Sequence, residues 1–131
     1  MLCSLVSGCL ITTPRTVITV SGFNTRDSAK ARRVCATVAA EHGLAVREND
    51  RGVPPGVLAY ARPKRTIFGG RDYGSPGLSV TDSLDDAAIV VVGDWNDTSE
   101  RRKLADDALS ALQREFGPRR VQRRDDPWTE F

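Results

Sequence analysis

Ala87-Ala88-Ile89-Val90-Val91-Val92 is apolar at all six positions, and its last four residues are β-branched. Side chains of that kind fit the pleated surface of a strand. An uninterrupted apolar run of this length predicts a strand in the middle of a sheet, covered on at least one face. Asp82–Asp86 (DSLDD) precedes it as a turn, and Leu78–Thr81 before that reads as a short strand.

Working outward, Thr16–Gly22 (TVITVSG) is rich in β-branched residues and predicts a second strand. Asn24 or Thr25 can cap a helix starting just after it. From Arg26 to His42, positions Ala31, Val34, Cys35, Val38 and Ala39 recur at helical spacing, and Gly43 supplies the left-handed residue that ends the helix. Leu44–Glu48 and Val57–Arg62 are strand candidates, interrupted by a stretch with two Pro and two Gly. Pro63–Gly77, dense in Gly and Pro, reads as a long loop. Asp97 and Glu100 have the spacing of a capping box opening a second helix, whose stripe is Ala105, Leu109, Leu112 and Phe116, flanked by Leu104 and Ala108. Gly117-Pro118 ends it. Arg119–Arg124, with one aliphatic residue in six, suits an edge strand, because charges there discourage stray pairing. Asp125–Phe131 reads as a tail.

The order strand, helix, strands, helix, strand is that of the split β-α-β, ferredoxin-like plan. It predicts an α+β two-layer sandwich: an antiparallel sheet with two helices on one face. That plan hosts many unrelated activities, so it says little about function. With 131 residues, 40% hydrophobic and 27% charged, the chain has the size and composition of one globular domain. Eight aromatic residues leave the core to Val, Leu, Ile and Ala. A net charge of +2 excludes a histone-like cation and an acidic tail protein. One His (His42) and three Cys (Cys3, Cys9, Cys35), with no C-x2-C pair, point away from structural zinc. Cys35, on the apolar helix face, reads as a small buried hydrophobe.

Three places carry candidate chemistry. Asp94, Asn96 and Thr98 have the 1-3-5 spacing of a calcium loop, but Ser99 stands where Gly is needed and Ala105 where the closing Glu is needed. The segment therefore reads as a strand-to-helix turn, and no metal is expected. Arg62–Gly77 (RPKRTIFGGRDYGSPG) interleaves Arg62, Lys64, Arg65 and Arg71 with Phe68 and Tyr73. Such a loop is disordered or merely solvated, or it contacts a protein or a membrane, or, least favoured, it binds nucleic acid. No phosphate-binding glycine motif accompanies it, and neither Thr16–Gly22 nor Ala87–Val92 carries the aromatics of an RNA platform. Arg119, Arg120, Arg123 and Arg124 are offset by Asp125, Asp126 and Glu130, so nucleic acid is not the expected partner. Catalysis finds little support: there is one imidazole and no G-x-S-x-G. Of the glycine-rich, arginine-bearing first loop of acylphosphatases, only Gly22 and Arg26 are present. No cofactor and no small-molecule substrate is indicated.

Val6-Ser7-Gly8-Cys9 resembles the lipobox of bacterial lipoproteins: an aliphatic residue, two small residues, then the Cys whose thiol accepts a diacylglycerol. Leu2 and Leu5 resemble the end of the apolar region before it. Eight residues precede Cys9 and none is basic, so the resemblance implies a leader reaching upstream of Met1. It further implies residues 1–8 as the end of a signal peptide, acylation at Cys9, a tether over 9–15, a domain over 16–124 and a tail over 125–131. Leu10, rather than Asp, after the Cys favours the outer membrane by analogy. The resulting expectation is a non-catalytic envelope lipoprotein whose small domain binds another envelope protein or a surface. The other readings are a cytosolic regulatory or ligand-binding domain, with residues 2–11 as a core strand or an interface, and, less favoured, a small nucleic-acid binder.

Overall fold

The 87–93 run is a strand, and it lies inside the sheet. The computed structural model describes residues 11–22, 24–47, 53, 55–65, 71–82, 86–94 and 98–130. Along the chain come strand β1 (Ile11–Ser21), helix α1 (Thr25–Glu41), β2 (Ala45–Val46), β3 (Val57–Arg65), β4 (Arg71–Thr81), β5 (Ala87–Gly93), helix α2 (Ser99–Phe116) and β6 (Val121–Glu130). The six strands form one sheet in the order β2-β3-β4-β5-β1-β6, with every neighbouring pair antiparallel.

Period-2 alternation sorts the sheet into two faces. Ile18 and Val20 of β1, Tyr60 of β3, Leu78 and Val80 of β4, Ala88, Val90 and Val92 of β5 and Val121 of β6 point to one side and are buried. Both helices cover that side. Helix α1 contributes Ala31, Cys35, Val38 and Ala39, and α2 contributes Leu104, Ala105, Ala108, Leu112 and Phe116, to a single core. Ile18, Leu104 and Leu112 have no exposed surface. Burying a large aliphatic side chain is worth about 1.5–3 kcal/mol, so these positions hold the layers together. The opposite face carries no helix among the described residues. There β5 presents the half-buried Ala87, Ile89, Val91 and Gly93.

The helix ends reflect local chemistry. Asn24 caps α1: its side chain accepts from the backbone N–H of Arg26 (2.9 Å) and Asp27 (3.2 Å), and Asp27 reaches back to the Asn24 N–H (3.3 Å). Gly43 then takes φ +73, which side chains disfavour. Helix α2 departs from expectation. Its cap is Thr98, whose hydroxyl accepts from Arg101 N–H at 3.1 Å; Asp97 lies outside the described residues.

The architecture is α+β with one antiparallel sheet and two helices, as expected, but the number and order of its six strands differ from those of the ferredoxin-like plan. Two further expectations are corrected. Pro63–Gly77 is not one long loop. Residues 63–65 extend β3 and 71–77 extend β4, paired from Arg62↔Gly74 to Arg65↔Arg71, with a register shift after Ala61 that leaves Ser75 and Pro76 without partners. Pro63 is tolerated because β2 pairs only with Tyr60 and Ala61, leaving β3 an edge beyond them. Likewise 11–15 and 125–130, expected as tether and tail, pair as the outer parts of β1 and β6. Ser21 N donates to Arg120 O at 2.8 Å, which makes alternate pairs from Ser21 onward the bonded ones. Pro14↔Pro127 then falls on a non-bonded pair, where two missing N–H donors cost the β1–β6 ladder nothing.

Candidate binding surface

The helix-free face has a floor of small and aliphatic side chains. Ala59 and Ala61 of β3, Gly77 and Ser79 of β4, and Val91 and Gly93 of β5 lie across from one another in register. No long side chain fills the space above them, and a groove of about 470 Å³ results. Tyr73 and Arg47 line it on one side and Asp94 on another. Tyr73 reaches toward the sheet edge, where its hydroxyl donates to Val46 O at 3.3 Å and the Arg47 guanidinium stands 5.8 Å from the ring centroid. Asp94 accepts from the Thr98 hydroxyl at 2.7 Å, which holds its carboxylate at the start of α2. The groove combines an apolar floor with an aromatic, a guanidinium and a carboxylate. Such a surface recognises a ligand by shape and a few polar contacts.

The residues singled out from sequence in this region meet different fates. Arg62 pairs with Glu100 at 2.9 Å, tying β3 to α2. Both side chains are well exposed, so the pair contributes little. Lys64 lies across Gly74, where any Cβ would run into it. Arg65 and Arg71 occupy the last ladder pair of the β3–β4 hairpin. Tyr73 lines the groove. Phe68 and Cys9 lie outside the described residues. Nothing in the sequence marks Arg47 as a groove residue, and Asp94 stands out there only as part of a turn.

A second polar assembly is also absent from the sequence reading. Arg101 is 5% exposed on the buried side of α2. Its Nη1 donates to Thr16 Oγ1 at 2.8 Å, and that hydroxyl donates to Asp125 Oδ1 at 2.6 Å. Arg123 completes the group, with Nη1 2.5 Å from Asp106 Oδ1 and Nη2 3.3 Å from Asp125 Oδ1. The Thr16 hydroxyl above all, helped by Arg123, holds the Asp125 carboxyl below the usual carboxylate range against the cost of burial. The one trace in the sequence is that position 101 falls on the α2 stripe, three and four residues before Leu104 and Ala105. Other polar contacts fasten elements together: Asp82 accepts from Ser28 and Arg32, Asp27 accepts from Arg120, and His42 Nε2 lies 2.7 Å from Asp107 Oδ2. Cys35 is buried, and burial pushes its thiol up to about 12, which denies it nucleophilic chemistry at neutral pH. No group of three or more His, Cys, Asp or Glu with metal-binding geometry occurs among the described residues. Compared with protein-family models and with curated proteins, the chain matches none.

Proposed function

We propose that this protein is a non-catalytic binding domain of the cell envelope. Cys9 is acylated, and the helix-free face receives a segment of another envelope protein. The groove over Ala59, Ala61, Ser79 and Val91, walled by Tyr73, Arg47 and Asp94, carries the reading. What favours binding over catalysis is that the charged groups lining it are already engaged: Asp94 accepts from the Thr98 hydroxyl and Arg47 stands over the Tyr73 ring. Attachment rests on the lipobox-like Val6-Ser7-Gly8-Cys9. Strand β1 begins at Ile11, two residues after that Cys, so an acyl anchor there holds the domain close to the bilayer.

The test uses the native host. A photo-crosslinking residue at position 79, in the groove, gives a discrete adduct, whereas one at Ala36, exposed on α1, gives none. Equal labelling at both positions, or none at either, overturns the groove as a binding surface. Radiolabelled palmitate enters the chain and is lost with Cys9→Ser. An unmodified chain starting at Met1 overturns the anchor.

The sheet also supports a finer architectural reading. Strands β6-β1-β5-β4, with helices following β1 and β5, form a ferredoxin-like unit, and β2 and β3 are an addition at its edge. The order of elements supports this. In hydrogen exchange, β2 and β3 then open before the other four strands. A single step releasing all six strands counts against it.

A further inference from the structure

The ladder places two arms at one end of the sheet. Arg15, Gly93, Gly77 and Ala61 lie in one row across β1, β5, β4 and β3. Strand β5 stops at that row. From it, the β1–β6 ribbon runs four residues further, to Ile11↔Glu130, and the β3–β4 hairpin runs four further, to Arg65↔Arg71. Because neighbouring strands are antiparallel throughout, both extensions point the same way. At 3.3 Å per residue each projects roughly 13 Å, and β5 alone separates them, a gap of roughly 10 Å.

The arms differ in charge. Residues 57–81 hold Arg62, Lys64, Arg65 and Arg71 against Asp72, a net charge of +3 in a chain whose total is +2. The hairpin thus carries more net positive charge than the whole chain, and the remainder sums to −1; the first turns of α1, with Arg26, Lys30, Arg32 and Arg33 against Asp27, also sum to +3, at the opposite end of the sheet. The hairpin's four cations fall in the projecting part, beyond the register shift at Ala61/Arg62. The β1–β6 ribbon sets Arg15 against Asp126 and Glu130, so it adds no positive charge, but its first residue lies two positions from Cys9.

We propose that this end of the sheet is the membrane-facing end, and that the β3–β4 arm docks on anionic lipid headgroups while Cys9 anchors the neighbouring arm. The inference rests on the membrane attachment proposed above. A diacylglycerol at Cys9 anchors the chain by itself, and a basic patch adds a second contact that sets orientation. Here the basic arm stands beside the arm whose first strand residue, Ile11, follows Cys9 by two positions in the sequence. Each Lys or Arg near an anionic surface strengthens partition roughly fivefold, enough for the arm to fix the orientation of a domain that the lipid has already brought to the surface. In that orientation the helix-free face and its groove stand beside the bilayer, open to a partner.

The anchor-free chain, Cys9→Ser, isolates the arm from the anchor. Sedimented at low ionic strength, it partitions onto vesicles of pure phosphatidylglycerol roughly a hundredfold more than onto phosphatidylcholine. Lys64→Gln with Arg71→Gln lowers the partition roughly 25-fold, and raising the salt to about 0.5 M abolishes it. Arg26→Gln with Lys30→Gln, at the start of α1 and the far end of the sheet, leaves it unchanged. Circular dichroism confirms that all variants are folded. Equal partition onto both vesicles, or equal loss with the α1 pair, overturns the proposal. So does capture by a single-stranded oligonucleotide that phosphatidylglycerol vesicles fail to compete away. Palmitate labelling reads the anchor alone and vesicle partition reads the arm alone, so failure of one is distinct from failure of the other.

Discussion

Arg101 Nη1 donates to Thr16 Oγ1 at 2.8 Å, joining the first turn of α2 to the middle of β1 through a threonine with no exposed surface. The Thr16 hydroxyl donates its own proton to Asp125 on β6, so one small group serves two charged partners from two other elements. Thr16→Val keeps the shape and removes the oxygen. It leaves a buried guanidinium short of an acceptor, which costs about 1–3 kcal/mol; the Asp125 side chain is 60% exposed, so water replaces most of what the carboxylate loses. Urea unfolding should show the midpoint fall with the slope unchanged. Thr19→Val, on the helix-free face and half-buried, is the control and should stay within about 0.5 kcal/mol.

Acid should weaken the fold for an identifiable reason. The Arg120 guanidinium holds Asp27 below the usual carboxylate range; Arg32, with help from Ser28, does the same for Asp82; Thr16 and Arg123 do so for Asp125. A carboxyl whose pKa is lowered by folding stabilises the native state above its unfolded value, near 4. That contribution is lost as pH falls through the lowered native value. Stability measured by urea should therefore be level from about pH 6 to 5 and fall below about pH 4. Asp82→Asn removes one of these groups, so its curve should be lower at pH 6 and shallower below pH 4. An equally steep acid limb would remove Asp82 from the account.

Strand β5 and both helices are legible in the sequence because their signals are local. The Ala87–Val92 run, the Ala31–Ala39 stripe and the Leu104–Phe116 stripe each report burial directly, and each stretch is where burial is greatest. The outer halves of β1, β3, β4 and β6 are not. Pro14, Pro63, Pro76 and Pro127 read as breaks, and only the pairing register makes them harmless: Pro14 opposite Pro127 at a non-bonded pair, and Pro63 on a stretch of β3 that β2 does not reach. The site divides the same way. A basic cluster with aromatics is visible in composition, which is why Arg62, Lys64, Arg71 and Tyr73 stand out. The groove is invisible there, since its floor is the alignment of Ala, Gly, Ser and Val from three strands, a property of register that no single segment encodes.

Cys35 offers a test of core integrity. Its thiol is 1% exposed and held near 12 by burial alone. In a chain with Cys3→Ser and Cys9→Ser, Ellman's reagent at pH 8 should find no reactive thiol in the native state and one in denaturant. Reaction in the folded protein should proceed only at the rate of opening. A fast native reaction would mean that α1 does not cover the sheet as described.

Arg120 works as a clamp rather than as part of a positive field. Its Nε donates to Ser21 O at 3.0 Å, its Nη2 to Gly22 O at 2.9 Å and to Asp27 Oδ2 at 2.8 Å, and the guanidinium stands 5.3 Å from the centroid of Phe116. The start of β6 is thereby fixed to the turn that leads into α1. The planar fork is what allows several acceptors at once, and a lysine ammonium lacks it. Arg120→Ala should cost about 1–2 kcal/mol, below the full value of charged hydrogen bonds because the side chain is 36% exposed. Arg120→Lys should recover less than half of that, since a point charge can meet Asp27 but cannot also satisfy two carbonyls. In a double-mutant cycle with Asp27→Asn, most of the Arg120→Lys loss should persist, because it resides in the carbonyl contacts. Full recovery by lysine would show instead that simple charge attraction to Asp27 is what closes the β6–α1 corner.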